Sequence, residues 1–257
     1  MNDAFDGVNP ADSSDQVAPP SPFGRFTNAL GLARRAFAPP VRTNDWLVPI
    51  LVVLVLQILS GLALHDLFVK KADEQMADAR TRIEESTQMS AEQREAALER
   101  MDRAGGGAAI WISTLAGPVV GVLLLNLILA VLLMLSLNFV LGTEVPFRAL
   151  WFIGALSWAP KAVETILFIP LARARGSIDL AFGPAAFVAP DAGPLRKALE
   201  AFDLFDIWRL LIVIVGLMVI ARVSRGKATG VALTLWILGW VITVALALIF
   251  GQGAVGA

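Results

Sequence analysis

Hydrophobic positions in this chain fall into long solid runs, broken by short polar links. Trp46 to Phe68 is apolar apart mainly from Gln57, His65 and Asp66. Ala108 to Leu141 carries no charged residue at all. Phe147 to Leu171 contains Lys161 and Glu164, Ile207 to Val223 contains Arg209 near its start, and Val231 to Phe250 is again uncharged. About 20 apolar residues suffice to cross a ~30 Å hydrocarbon core as a helix. The pattern therefore predicts spans at about 46–68, 110–141, 147–171, 207–223 and 231–250. At ~1.5 Å per residue the second run exceeds one crossing. Strong tilt or a break is expected there, with Gly117-Pro118 and Gly121 as the break point. Membrane barrels show ten-residue alternation instead of solid runs. The expected fold is all-α, a polytopic membrane protein with five transmembrane helices.

Two further elements belong to this pattern. Ser21-Pro22-Phe23 has the form of a helix start. Phe23, Phe26, Leu30, Ala33 and Phe37 then recur at steps of three and four, with Arg25, Asn28 and Arg35 towards the other face. This predicts a short N-terminal amphipathic helix over 21–38, with Arg34 and Arg35 at its flank. It either lies on the bilayer surface or packs on the spans, and the aromatic and arginine content favours the surface. Residues 70–104 read as an extramembrane helical hairpin. Lys70 to Ser86 continues the first span into water, and Ser90-Ala91-Glu92-Gln93 resembles a capping box that opens a second helix. Met76, Ile83, Met89, Leu98 and Met101 supply a thin apolar seam. The hairpin serves either as a solvated spacer or as a partner-binding element. Residues 1–20 are polar and turn-rich and read as a disordered tail. Their four aspartates and lack of Lys or Arg up to Asp15 do not fit a secretory signal.

Composition agrees with the pattern. Of 257 residues, 56% are hydrophobic and 17% charged, with a mean hydropathy of +0.68, which excludes a soluble globular enzyme. The absence of cysteine removes disulfides, iron–sulfur clusters and thiol chemistry, and one histidine cannot build a multi-histidine metal site. A net charge of −1 gives no reason to expect nucleic acid. Short links rich in Lys and Arg stay cytoplasmic. Arg25, Arg34, Arg35 and Arg42 precede the first span, and Arg222, Arg225 and Lys227 precede the fifth. The N-terminus is therefore expected inside. The 70–107 segment, with seven basic residues, would lie outside; its nine acidic residues and its length weaken the rule there.

Residues 202–228 carry the most specific signal. Phe202-Asp203-Leu204-Phe205-Asp206-Ile207-Trp208, then Gly216-Leu217, then Ser224-Arg225-Gly226-Lys227-Ala228 resemble the bacterial branch of the Yip family, the Ypt/Rab-interacting membrane proteins. Ala38-Pro39-Pro40, Trp46-Leu47-Val48-Pro49 and Phe147-Arg148 are similar to other parts of that family's pattern. The resemblance implies a five-span Yip-type membrane domain over 39–252 with a cytoplasmic tail, in a bacterial inner membrane. Eukaryotic members bind small prenylated GTPases. This chain lacks their Asp-Leu-x-Gly-Pro tail motif within residues 1–45, and it has no tyrosine, so GTPase binding is not carried over. Asp179-Leu180-Ala181-Phe182-Gly183-Pro184 is superficially similar to that motif but has an extra residue and lies in another loop.

Two sets of residues carry candidate chemistry. Lys161 and Glu164 stand one helical turn apart within a span, where each charge costs about 2.5–3.5 kcal/mol. They are either a functional pair or an internal ion pair that fixes packing. Asp203, Asp206 and Arg209 lie three apart at a helix start, as a cap with an ion pair or as a ligand site. Trp208 beside them fits an interfacial anchor. Asn126, Ser136 and Asn138 either line the same interior or act as interhelical hydrogen-bonding glue. Gly117-xxx-Gly121 and Gly226-xxx-Gly230 have the spacing for close helix approach. No catalytic motif, cofactor site or metal cluster is found. The expected role is a non-enzymatic scaffold whose partners, beyond the lipid bilayer, the residues do not identify. The alternative is a small-solute or ion permease that uses Lys161 and Glu164.

Overall fold

The computed structural model describes residues 19–39, 41–87, 89–104, 107–189, 192–200 and 202–252, and among these every regular element is a helix. In chain order they are α1 (Pro22–Leu30), α2 (Leu47–Ala63), α3 (His65–Glu85), α4 (Ala91–Ala104), α5 (Gly107–Met134), α6 (Phe147–Ser157), α7 (Ala159–Arg175), α8 (Gly193–Glu200), α9 (Leu204–Ile220) and α10 (Arg225–Gln252). Among the described residues, three helical stretches are long and apolar enough to cross a membrane: Leu115–Val140, Phe147–Arg175 and Arg225–Ala245. A fourth arises if α2 and α3 count as one bent span. The disordered tail assigned to 1–20 lies, up to residue 18, outside the described residues.

α6 is the centre of the bundle. Leu150 and every residue from Phe152 to Trp158 are buried, packed between α5 on one side and α9 on the other. Glycine makes this closeness possible. A Cβ at Gly216 of α9 would come within 2.8 Å of Ile153 and 3.0 Å of Phe37. Gly154 is similarly pressed against Asn126 of α5. The glycines with the expected spacing do something else: at Gly117, Gly121, Gly226 and Gly230 nothing lies within 4 Å of where a Cβ would be. The outer helices turn broad apolar faces outward, Leu51, Val55 and Leu59 on α2 and Leu238, Val241 and Ile242 on α10. A bundle that is apolar outside as well as inside suits hydrocarbon as its solvent.

Several predicted elements are redrawn. α5 runs unbroken through Pro118, so Gly117-Pro118 is not the break. The irregularity comes later, as a π-helical turn at Leu135–Val140. There the Asn138 side chain accepts from the Val145 N–H and donates to the Val145 carbonyl, both at 3.0 Å, closing the turn into α6. Asn126 donates to the Trp151 carbonyl at 3.4 Å. Asn126 thus acts as glue between α5 and α6, and Asn138 fixes the turn that joins them. The third predicted span is two helices that meet at Trp158, with Pro160 in the first turn of α7, where its missing N–H costs nothing. The first span does not run straight into the hairpin. It bends by 70° at Leu64, a turn held by Arg173, which contacts Asp66 at 2.7 Å and also donates to the Ala63 carbonyl. His65 stacks on Trp111, centroids 3.9 Å apart. The hairpin α3–α4 forms with a reciprocal capping box: Gln93 N–H donates to Ser90 Oγ at 3.2 Å, and Ser90 N–H to Gln93 Oε1 at 2.9 Å.

The predicted helix over 21–38 is also divided. α1 ends at Leu30, and the chain makes a separate 3₁₀ turn at Arg34–Phe37. Ala33 N–H bonds to the Asn28 carbonyl and Leu32 N–H to that of Ala29, with Leu32 at φ 53°. This is the Schellman ending. It reverses the chain so that Phe26 and Phe37 both enter the core. Phe23 stays exposed, Leu30 is half-buried, and Arg34 and Arg35 point outward. Arg25, placed by periodicity on the polar face, is instead 1% exposed. Its Nη1 donates to the carbonyls of Ala36 (3.1 Å) and Ala38 (2.8 Å). Its Nε lies 3.1 Å from Asp45, and its guanidinium sits 5.7 Å from the Phe152 ring centre. Burial pushes this guanidinium below its ordinary pKa, and Asp45 opposes the shift.

Gly216→Val is expected to destabilise the bundle by about 1–3 kcal/mol through overpacking against Ile153 and Phe37, read as a lowered thermal midpoint in detergent. Gly117→Val, which meets open space, leaves the midpoint nearly unchanged.

Candidate functional site

The two candidate sets from the sequence form one cluster. Lys161 Nζ lies 2.6 Å from Glu164 and 3.4 Å from Asp206. Arg209 donates to the same Asp206 carboxylate at 3.2 Å, and its guanidinium lies 4.0 Å from the centre of the Trp158 ring. The alternation is Glu164, Lys161, Asp206, Arg209, so each charge has an opposite neighbour. α7 supplies the first two and α9 the last two. α9 runs antiparallel to α6, its Gly216 lying against Ile153. This brings the first turn of α9 beside Lys161, midway along the Phe147–Arg175 stretch.

Asp203 stands at the edge of this network and caps α9. Its Oδ1 accepts from the Phe205 N–H at 2.8 Å, which satisfies one of the helix's orphan donors. Its Oδ2 accepts from the Phe182 N–H at 3.3 Å. Trp208 lies outside the network, half-buried and stacked over Phe205 with centroids 6.4 Å apart. The amphipathic-helix residues Phe23, Phe26, Leu30, Phe37, Arg34 and Arg35 do not join the cluster.

Sequence reasoning missed the wall of the site. The connection from Gly176 to Asp203 folds back over the polar cluster. Together with Lys161, Asp203 and Asp206, its residues Leu180, Gly183, Leu199 and Glu200 line a cavity of about 120 Å³, room for a few waters. The Asp179–Pro184 stretch supplies this wall. Leu204 N–H bonds to the Phe182 carbonyl, and the Phe182 ring meets Phe205 edge-on at 5.3 Å. A Cβ at Gly183 would come within 2.7 Å of the Phe202 carbonyl oxygen. Lys71 of the hairpin reaches the same connection, 2.8 Å from Asp179. That hydrogen bond holds the Lys71 ammonium above its ordinary pKa. The tie therefore persists into alkaline solution and is lost as pH rises past the raised value. The one sequence signal for the wall was the Gly183-Pro184 turn in Asp179–Pro184, whose partners are Phe202 to Phe205.

Chemically, the cluster is an ion-pair ladder that joins α7 to α9 beside a small polar cavity. No group of three or more His, Cys, Asp or Glu suited to a metal ion occurs among the described residues.

Asp203→Ala is expected to cost about 1 kcal/mol, the usual value of a lost N-cap. Asp206→Ala strips a carboxylate from both Lys161 and Arg209 and is expected to cost about 1–3 kcal/mol. Thermal unfolding in detergent, with Asp206→Glu as a partial rescue, measures both. No family model, no curated protein and no solved structure matches this chain.

Proposed function

We propose that this chain is a five-span integral membrane protein of the Yip type and acts as a non-enzymatic scaffold, organising membrane or holding protein partners. Five helical units support the span count: α2, α5, α6–α7, α9 and α10. α9 has 17 residues and reaches roughly 25 Å, close to a bilayer core. The basic residues around the N-terminal segment and before α10 support a cytoplasmic N-terminus in a bacterial inner membrane. The resemblance of residues 202–228 supports the family.

The observation that carries the scaffold reading is the closure of the charge ladder. Lys161, Glu164, Asp206 and Arg209 pair their charges across α7 and α9, which is what a packing device requires. The cavity beside Lys161 favours the second reading, a permease for a small solute or ion.

The double variant Lys161→Met with Glu164→Leu separates the two. Replacing an ion pair by apolar groups of similar size is often neutral or stabilising by about 1–4 kcal/mol, and Asp206 keeps Arg209. The scaffold reading expects an unchanged or raised thermal midpoint and an unchanged set of co-purifying proteins. Loss of an ion or solute flux shown by the wild-type chain in proteoliposomes, with the fold intact, decides for the permease.

A further inference from the structure

Three side chains of the connection from Gly176 to Asp203 have their polarity inside out. Phe187 is 93% exposed and Leu195 59%, while the charged Arg196 beside Leu195 is only 11% exposed. Arg196 turns inward, donating to Glu200 at 3.2 Å and to the carbonyls of Val188 (3.1 Å) and Ala185 (3.5 Å). It thereby ties down the C-terminal end of the turn Pro184–Phe187, sharing the Ala185 carbonyl with the Val188 N–H and satisfying the Val188 carbonyl just beyond it. A loop in water does the reverse, burying the phenylalanine and leaving the arginine outside. Non-helical backbone is tolerated at membrane depth only where its polar groups are paired within the protein.

The position of the segment on the bundle agrees with this. α8 packs along α10. Trp240 Nε1–H donates to the Ala198 carbonyl at 2.9 Å. Phe202 meets Trp236 and Trp240 edge-on at 5.4 and 6.1 Å. On α10 the exposed apolar residues run past this level in both directions, from Leu233 to Val241 and Ile242. Leu204, at the end of the connection, is 60% exposed. The apolar surface of the connection is thus continuous with the outward face of a helix long and apolar enough to cross a membrane.

We infer that the described residues between Pro184 and Glu200 form a strap seated in the bilayer, with Phe187 and Leu195 in contact with lipid acyl chains. The strap separates the Lys161–Asp206 cavity from lipid. Its backbone closes the polar ladder from above while its side chains face hydrocarbon. The inference rests on the membrane-spanning reading of α10, and the test keeps the two apart.

The chain contains no cysteine, so single cysteines can be introduced at Phe187→Cys and Leu195→Cys in the full-length protein. Each is spin-labelled and reconstituted in phosphatidylcholine–phosphatidylglycerol vesicles. Leu238→Cys on α10 serves as the lipid reference and Glu84→Cys on the hairpin as the water reference. The strap predicts faster relaxation by oxygen than by a water-soluble nickel chelate at both positions, matching Leu238→Cys. A nickel response matching Glu84→Cys overturns it in favour of an aqueous loop. Protection from both reagents overturns it in favour of a protein-covered face, such as a second copy of the chain. If Leu238→Cys itself responds as water-exposed, the membrane reading of α10 fails first.

Discussion

A charge carried into an apolar interior has to meet its opposite there, and the placement of this chain's elements follows from that requirement. Arg25 is the clearest instance. Its side chain is 1% exposed, and an unpaired guanidinium in that position would cost several kcal/mol. Asp45, two backbone carbonyls and the face of Phe152 supply the compensation. To bring them together, the chain must reverse after α1 and lay the Arg34–Phe37 turn against α9. The same rule governs the middle of the bundle. Lys161 and Glu164 do not settle their charges within α7 alone; Asp206 and Arg209 complete the ladder from α9.

Each of these two sets of charges meets α6, the most buried helix, through an aromatic ring: Arg25 at Phe152 and Arg209 at Trp158, where α6 ends. Close packing around it depends on Gly154 and Gly216, where neighbouring side chains occupy the space of a Cβ. The small residues therefore determine which helices approach, and the charges determine how far each is displaced along its neighbour. α9 can begin midway along the Phe147–Arg175 stretch because Asp203 caps it there and Asp206 finds Lys161. The room left beyond its first turn is filled by the connection from Gly176, which packs Phe182 on Phe205 and Phe202 on Trp236.

Much of the site was legible in part. The Asp203 cap and the Asp206–Arg209 pair follow from spacing on one helix, as does the Lys161–Glu164 contact, because local geometry brings residues three or four apart together. The same local logic identified the Ser90–Gln93 box. It failed at Arg25, where helical periodicity assigned the polar face and a Schellman reversal turned that face inward. It failed again at Pro118, since a proline in a helix can be absorbed where neighbouring structure permits. The glycine pairs at 117/121 and 226/230 have the right interval but no helix against them, because spacing cannot specify which helix approaches.

The sequence by itself determined that the chain is helical and apolar enough to enter a membrane, which charges its helices carry and, at Ser21, Ser90 and Asp203, where a helix begins. Those properties depend on residue type and on separations of a turn or less. Only the tertiary structure decided that Lys161 and Asp206, 45 positions apart, belong to one ladder, that Arg25 finds Asp45, and that Gly176 to Asp203 folds over the cavity with its arginine inside. Contacts between distant segments are selected by the shape and charge of whole packed surfaces. Neither period nor composition along the chain encodes which surfaces will meet.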